Sequence, residues 1–168
     1  MPSGAERLRP FWALVALTVV CDRITKVFAD QSLAGRSIHV IGDAVQLRLV
    51  HNQGAAFGLE LGSWQRWIFL TIAIVAIVWL WSAARQAAAG DTLRQWAVGF
   101  VAGGAAGNAI DRVLSSRGVI DFIDVGVGTL RWPTFNVADI AVTCGAVALA
   151  ISLWREDARR APVAAPTD

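Results

Sequence analysis

Apolar residues run in four long blocks along this chain, and polar residues gather between the blocks and at their ends. The blocks at Phe11–Ala29, Trp67–Ala84, Arg94–Leu114 and Trp132–Trp154 each approach the roughly 20 residues that a helix needs to cross a bilayer. Only the second is free of charge throughout. Tryptophan brackets them independently of hydropathy. Seven of the eight tryptophans (Trp12, Trp64, Trp67, Trp81, Trp96, Trp132 and Trp154) lie near block ends, where the ring suits a membrane interface. The third block carries Gly99, Gly103 and Gly107 at four-residue spacing, a small face that lets another helix approach closely.

The connections have patterns of their own. Ile38 and Val40 alternate with polar neighbours, Gly42-Asp43 offers a turn, and Val45, Leu47 and Leu49 alternate again, which predicts a small β-hairpin. Asn52-Gln53-Gly54-Ala55-Ala56-Phe57-Gly58 then reads as a flexible loop returning to the bilayer. The tail, with Pro162 and Pro166, is expected to be disordered from about residue 159 to 168.

Composition agrees with this pattern. The 168 residues are 55% hydrophobic and 17% charged, with mean hydropathy +0.51, whereas a soluble domain carries roughly 25% charge. The expected fold is an all-α membrane protein: one integral membrane domain over 1–168, with four transmembrane helices and a small extracytoplasmic β element over about 37–58. A net charge of +2 and a pI near 8.9 are too mild for a nucleic-acid partner, and no basic stripe interleaved with aromatics occurs. Cys21 and Cys144 fall in apolar runs and are expected as buried apolar thiols. Arg7 and Arg9 before Phe11–Val20 resemble a secretory signal ending at Cys21. Val19 and Val20 stand where cleavage wants small residues, so a retained first helix is expected. An even span count puts both termini on one side. If that side is cytoplasmic it holds seven arginines against five outside, which favours termini inside and the long connections outside.

Polar groups within the blocks are few. Asp22, Arg23 and Lys26 occupy the outer half of the first, Asn108, Asp111 and Arg112 end the third, and Asn136 and Asp139 lie in the fourth. This topology puts all three clusters at one depth, and their three- and four-residue spacings let each share a helix face. Asp22 with Lys26, and Asp111 with Arg112, can be read as internally neutralised ion pairs, and Arg23 and Lys26 as snorkelling side chains. Asp139 has no nearby cation in its own block, and Asp121 lies between Ile120 and Phe122, an apolar setting that should raise its pKa. A carboxylate beside hydrocarbon is costly and marks a functional site. Asp124, followed by the Gly-containing run Val125–Gly128, ranks behind Asp121 as a solvated loop residue. His39 and His51 lack metal spacing, and no Gly-x-Ser-x-Gly elbow exists. Two carboxylates, with neither metal nor nucleotide cofactor, are the most economical apparatus.

Asp22-x-x-x-Lys26, Asn52-x-Gly54-x-x-Phe57-Gly58, Gly103-Gly104-x-x-Gly107-Asn108-x-x-Asp111-Arg112, Val119-x-Asp121-Phe122 and Phe135-Asn136-x-Ala138-Asp139 together resemble the signal peptidase II family, over about residues 10 to 155. The resemblance implies a monomeric intramembrane aspartyl protease of the bacterial inner membrane. Its partners would be membrane lipid and diacylglyceryl-modified prolipoproteins, cut just before the lipidated cysteine. The family's catalytic pair maps onto Asp121 and Asp139. Its other recurrent polar positions map onto Asp22, Lys26, Asn52, Gly54, Asn108, Arg112 and Asn136, expected to support the pair and hold substrate. The rival reading is a small proton-coupled transporter, which predicts polar groups spread across the bilayer depth. A third is a structural subunit whose charges only join helices.

Overall fold

The computed structural model describes residues 4–54, 64–87 and 90–160. It is mostly helical, with α1 (Gly4–Ser32), α2 (Gln65–Gln86), α3 (Thr92–Leu114) and α4 (Val137–Arg160). A four-stranded antiparallel sheet of β1 (Ser37–Ile41), β2 (Val45–Asn52), β3 (Val119–Val127) and β4 (Leu130–Arg131) lies in that order. Helices α2 and α4 are long and apolar enough to cross a membrane, over Gln65–Gln86 and Val137–Ala158. The apolar parts of α1 and α3 are interrupted by Asp22, Arg23 and Lys26 and by Asp111 and Arg112.

Helix α3 is the hub, packed on α1, α2 and α4, and its glycines are the reason it can be. A Cβ on Gly103 would lie 2.7 Å from Thr18 Cβ, and one on Gly107 would lie 2.6 Å from Asp22 Oδ2, both on α1. Gly104 faces the Ala138 carbonyl at the start of α4 just as closely. The expected small face thus packs on α1, and Gly104, outside that face, serves a second partner. At one end of the bundle Phe11, Leu80, Ala84, Val98 and Ala102 form an apolar core. At the other, Ala29 and Leu33 of α1 meet Phe122 of β3, with Leu47, Leu49 and Ile120 around them, so the sheet is seated on the end of α1. Outside, the helices are apolar: Leu17, Val20, Ile24 and Phe28 of α1 and Ile72, Val75 and Trp79 of α2 are exposed.

Several expectations need correction. The fourth helix begins at Val137 rather than at Trp132, because Pro133 keeps Trp132 out of the helical region and the residues after it are drawn to the sheet. Phe135 then pairs with Ile123 of β3. The β element is larger than one hairpin, since 119–131 adds two strands to it, and Asp124 is a buried strand residue, not a solvated loop one. Cys21 and Cys144 are exposed on the helix exteriors rather than buried; an apolar face turned outward carries them as it carries Val20. Helix α4 runs to Arg160, past the expected start of a disordered tail at 159; residues 161–168 lie outside the described residues, as do Phe57 and Gly58 of the expected loop.

Candidate active site

The site lies where the starts of β3 and α4 meet the polar ends of α1 and α3. Asp121 faces Val50 across the β2–β3 pair, just beyond a bulge that inserts an extra residue into β2; bulges of this kind re-aim side chains beside active sites. Asp139 owes its place to a helix cap. Asn136 Oδ1 accepts the Asp139 N–H at 3.0 Å, and Asp139 Oδ2 accepts the Asn136 N–H at 3.1 Å. This is a reciprocal capping box built from Asn and Asp. Phe135-Asn136-Val137-Ala138-Asp139 thus starts a helix and presents a carboxylate with the same residues.

Each carboxyl oxygen of the pair receives an amide donor. Asn136 Nδ2 donates to Asp121 Oδ1 at 2.6 Å, and Asn52 Nδ2 donates to Asp121 Oδ2 at 2.9 Å. Asn108 Nδ2 donates to Asp139 Oδ1 at 2.9 Å. Amide donors hold a carboxylate in place without cancelling its charge, and each oxygen keeps a second lone pair for another proton donor. Asp121 is only 2% exposed. That burial pushes its pKa up to about 6, helped by the nearby charge of Asp139 and opposed by the hydrogen bonds from Asn52 and Asn136.

Behind the pair sits a buried charge network. Lys26, with no exposed surface, reaches Asp22 Oδ2 and Asp111 Oδ2, each at 2.8 Å, and donates to Asn108 Oδ1 at 2.8 Å. This last bond decides which way the Asn108 amide points, since an oxygen held by the ammonium leaves the nitrogen for Asp139. Asp22 Oδ1 accepts the Ala138 N–H at 3.0 Å, tying α1 to the first turn of α4. Lys26 is therefore not a snorkelling side chain. Asp111 does not pair with Arg112 either: it binds Arg23 at 2.6 Å and Lys26, because adjacent helical residues point to different faces. Arg112 instead bonds the Asn108 carbonyl at 3.1 Å, lies over the Phe69 ring, and stands in the field of both Asp121 and Asp139. Gly54 has φ +105°, its N–H donates to Asn52 Oδ1 at 2.8 Å, and a side chain there would strike Phe69; it orients Asn52 from the backbone.

All nine residues expected at the site thus belong to one connected region. Sequence reasoning undervalued Asp111, whose Oδ2 also accepts the Ile120 N–H at 3.2 Å, next to Asp121. The Gly-Asn-x-x-Asp-Arg spacing was the available signal. One cavity lies beside Asp139, and a second reaches Arg112. The first, of about 330 Å³, runs along α4, lined by Trp132, Phe135, Ile140, Thr143 and Cys144. The second, of about 300 Å³, is polar, lined by Arg112, Arg66, Gln53, Gln65 and Ser116 among others.

A family model described as signal peptidase (SPase) II matches residues 14–155. The chain is 40% identical over 145 residues to a lipoprotein signal peptidase of Hydrogenovibrio crunogenus, covering 83% of this chain and 81% of that one. It is 38% identical over 148 residues to one from Janthinobacterium, covering 86% and 88%. It is also similar to a bacterial membrane enzyme solved in meso at 2.3 Å, with TM-score 0.78 and 28% identity over 92% of this chain and 93% of that one. A second such structure, at 1.9 Å, gives TM-score 0.75 and 31% identity over 85% and 91%.

Proposed function

The chain belongs to the signal peptidase II family, a family of lipoprotein signal peptidases, and on that premise we propose that it cuts diacylglyceryl-modified prolipoproteins just before the lipidated cysteine, with Asp121 and Asp139 as an aspartyl catalytic pair. The observation that carries this reading is that one residue, Asn136, donates to both carboxyls, from its side chain to Asp121 and from its main chain to Asp139.

Two carboxyls in each other's field favour sharing one proton. The ionised partner takes a proton from a water molecule as its oxygen attacks the scissile carbonyl. The protonated partner hydrogen-bonds the developing oxyanion and then delivers its proton to the leaving amine. The amides of Asn52, Asn108 and Asn136 keep the carboxyls oriented through the cycle, which costs no reorganisation at the moment of reaction. Arg112 and Asn52 hydrogen-bond the peptide backbone of the substrate. The apolar cavity beside Asp139 receives an apolar part of the substrate next to the scissile bond. No metal or nucleotide takes part.

All four helices cross the bacterial inner membrane, with both termini cytoplasmic, the sheet and catalytic pair near the extracytoplasmic face, and the chain acting as a monomer. In support, α1 exposes Leu17, Val20, Ile24 and Phe28 while its Asp22 and Lys26 are buried. Substrate then arrives laterally with its acyl chains still in lipid. The transporter reading finds no support among the relatives, and the buried charges of the described residues gather at one end of the helices.

The test is to incubate the purified chain, in detergent or lipid, with a diacylated and a non-lipidated prolipoprotein. Selective cleavage of the first is expected. Asp121→Asn and Asp139→Asn should each lower turnover by about 10²–10⁴-fold or more with membrane insertion unchanged. Retained turnover in either variant refutes the pair.

A further inference from the structure

Asp124 is not in the catalytic pair, yet it is among the most heavily engaged side chains of the sheet. It is 2% exposed, and each carboxylate oxygen is held by a different arginine. Arg48 Nε lies 2.6 Å from Oδ2, and Arg131 Nε lies 2.7 Å from Oδ1. Register explains the arrangement. Asp124 pairs with Gln46 on β2, and Gly126 pairs with Arg131 on β4. Arg48 and Arg131 therefore each sit one diagonal step from Asp124 on the same face of the sheet, within reach of long side chains.

The arginines do not stop at Asp124. Arg131 also donates to the Asp43 carbonyl at 2.7 Å, in the β1–β2 turn, and Arg48 donates to Thr134 Oγ1 at 3.2 Å. Thr134 lies in the segment that leads into α4. The next residue, Phe135, is bonded to β3 on both sides: its carbonyl accepts from Phe122 and Ile123 at 3.0 and 2.8 Å, and its N–H donates to Ile123 at 3.0 Å. Asn136 follows at once. One buried carboxylate thus gathers β2, β3 and β4 and the 131–134 segment into a frame, three residues from Asp121 on one side and two residues from Asn136 on the other.

Stability alone is a weak reason for such a cluster. A buried ion pair recovers about what its desolvation costs, and an apolar replacement is often as stable. What the ion pairs add is direction: each planar guanidinium spans two partners, Arg48 joining Asp124 to Thr134 and Arg131 joining Asp124 to the Asp43 carbonyl, and so fixes where they stand. We propose that Asp124 is a positioning residue for the cleavage reaction, which with Arg48 and Arg131 fixes the segment bearing Asn136 and Asp139 against the strand bearing Asp121. This rests on the aspartyl-pair reading above.

The experiment measures kcat and KM on a diacylated prolipoprotein, with thermal unfolding in detergent, for Asp124→Asn, Asp124→Glu and Arg48→Gln. If Asp124 positions the pair, Asp124→Asn lowers kcat on the order of 10- to 100-fold, since displacements near 1 Å are that costly. KM stays within about threefold, because substrate binding is not what is lost. Asp124→Glu, which restores the charge, recovers a large part of the rate. Unchanged kcat in a folded Asp124→Asn protein overturns the proposal, as does a raised KM at constant kcat, which would make the sheet a substrate cover only. Should Asp124→Asn fail to fold, Arg48→Gln decides. Arg48 is half exposed and its loss removes the contacts to Asp124 Oδ2 and Thr134; a fall in kcat supports the proposal and an unchanged kcat overturns it. Asp121→Asn and Asp139→Asn run alongside. Turnover surviving in either of these sinks the catalytic pair itself, whereas two inactive pair variants beside normal Asp124→Asn and Arg48→Gln enzymes sink only the positioning role.

Discussion

Asn136 Nδ2 lies 2.6 Å from Asp121 Oδ1, a bond from the cap of one helix to the first half of a strand, fifteen residues earlier in the chain. It makes the start of α4 and the alignment of the two carboxyls a single structural event. Cap and catalytic alignment can nevertheless be separated by substitution.

Asn136→Ala should lose both, with a fall in stability of about 1 kcal/mol or more from the cap and a loss of turnover. Asn136→Ser keeps a cap oxygen to accept the Asp139 N–H but carries no amide to donate to Asp121 Oδ1. It should therefore retain the unfolding temperature far better than Asn136→Ala while being equally inactive. Thermal unfolding in detergent beside a cleavage assay distinguishes the two, and equal stability of both variants would show that the cap contributes nothing.

Asp121 titrates near pH 6, so the kcat/KM profile should inflect there. Asn52 donates to the charged form and holds the pKa down. Asn52→Ala removes that bond and should move the inflection upward by about one to two pH units, since a hydrogen bond to a charged group is worth about 1.5–3 kcal/mol. Stability has a matching sign. The folded pKa lies above the unfolded value of 3.8, so the contribution of Asp121 is present below that value and is lost as pH rises through about 6. The unfolding temperature of wild type should accordingly fall more between pH 4 and pH 7 than that of Asp121→Asn.

Lys26 is the shared cation of Asp22 and Asp111. Lys26→Met matches its length but leaves two buried carboxylates short of a partner, at a cost of about 3–5 kcal/mol. Adding Asp22→Asn and Asp111→Asn should restore much of the stability and none of the turnover, because nothing then fixes the Asn108 amide toward Asp139. Recovered cleavage in the triple variant would rule out that orienting role.

Gly104 has no room for a side chain: a Cβ would press into the Ala138 carbonyl and Val142. Gly104→Ala must push α4 away from α3 next to Asp139, with an expected overpacking cost of about 1–3 kcal/mol and a fall in kcat that exceeds any change in KM. Gly128 has open space around it but φ +56°. Gly128→Ala, at the β3–β4 turn, should cost stability through backbone strain with little effect on turnover.

How much of this was legible before the fold is a matter of what a sequence encodes position by position. Apolar blocks, their tryptophan ends and the glycine repeat mark helices and a close-packing face because they are properties of single residues at a fixed period. Asp121 and Asp139 stand out for the same reason: each is an acid amid apolar neighbours, inside motifs specific enough to reveal the family. Partnership is another matter. Asp111 looked neutralised by its neighbour Arg112 and Asp124 looked solvated, yet their cations come from Arg23 and Lys26 and from Arg48 and Arg131. Sequence alone determined which residues could not be left in hydrocarbon without a purpose. Only tertiary structure decided which of them meet, because an ion pair or a shared amide depends on where separate segments cross, and in this chain those crossings are set by glycines that let helices touch and by the pairing of β2 with β3, whose register shifts at a bulge beside Asp121.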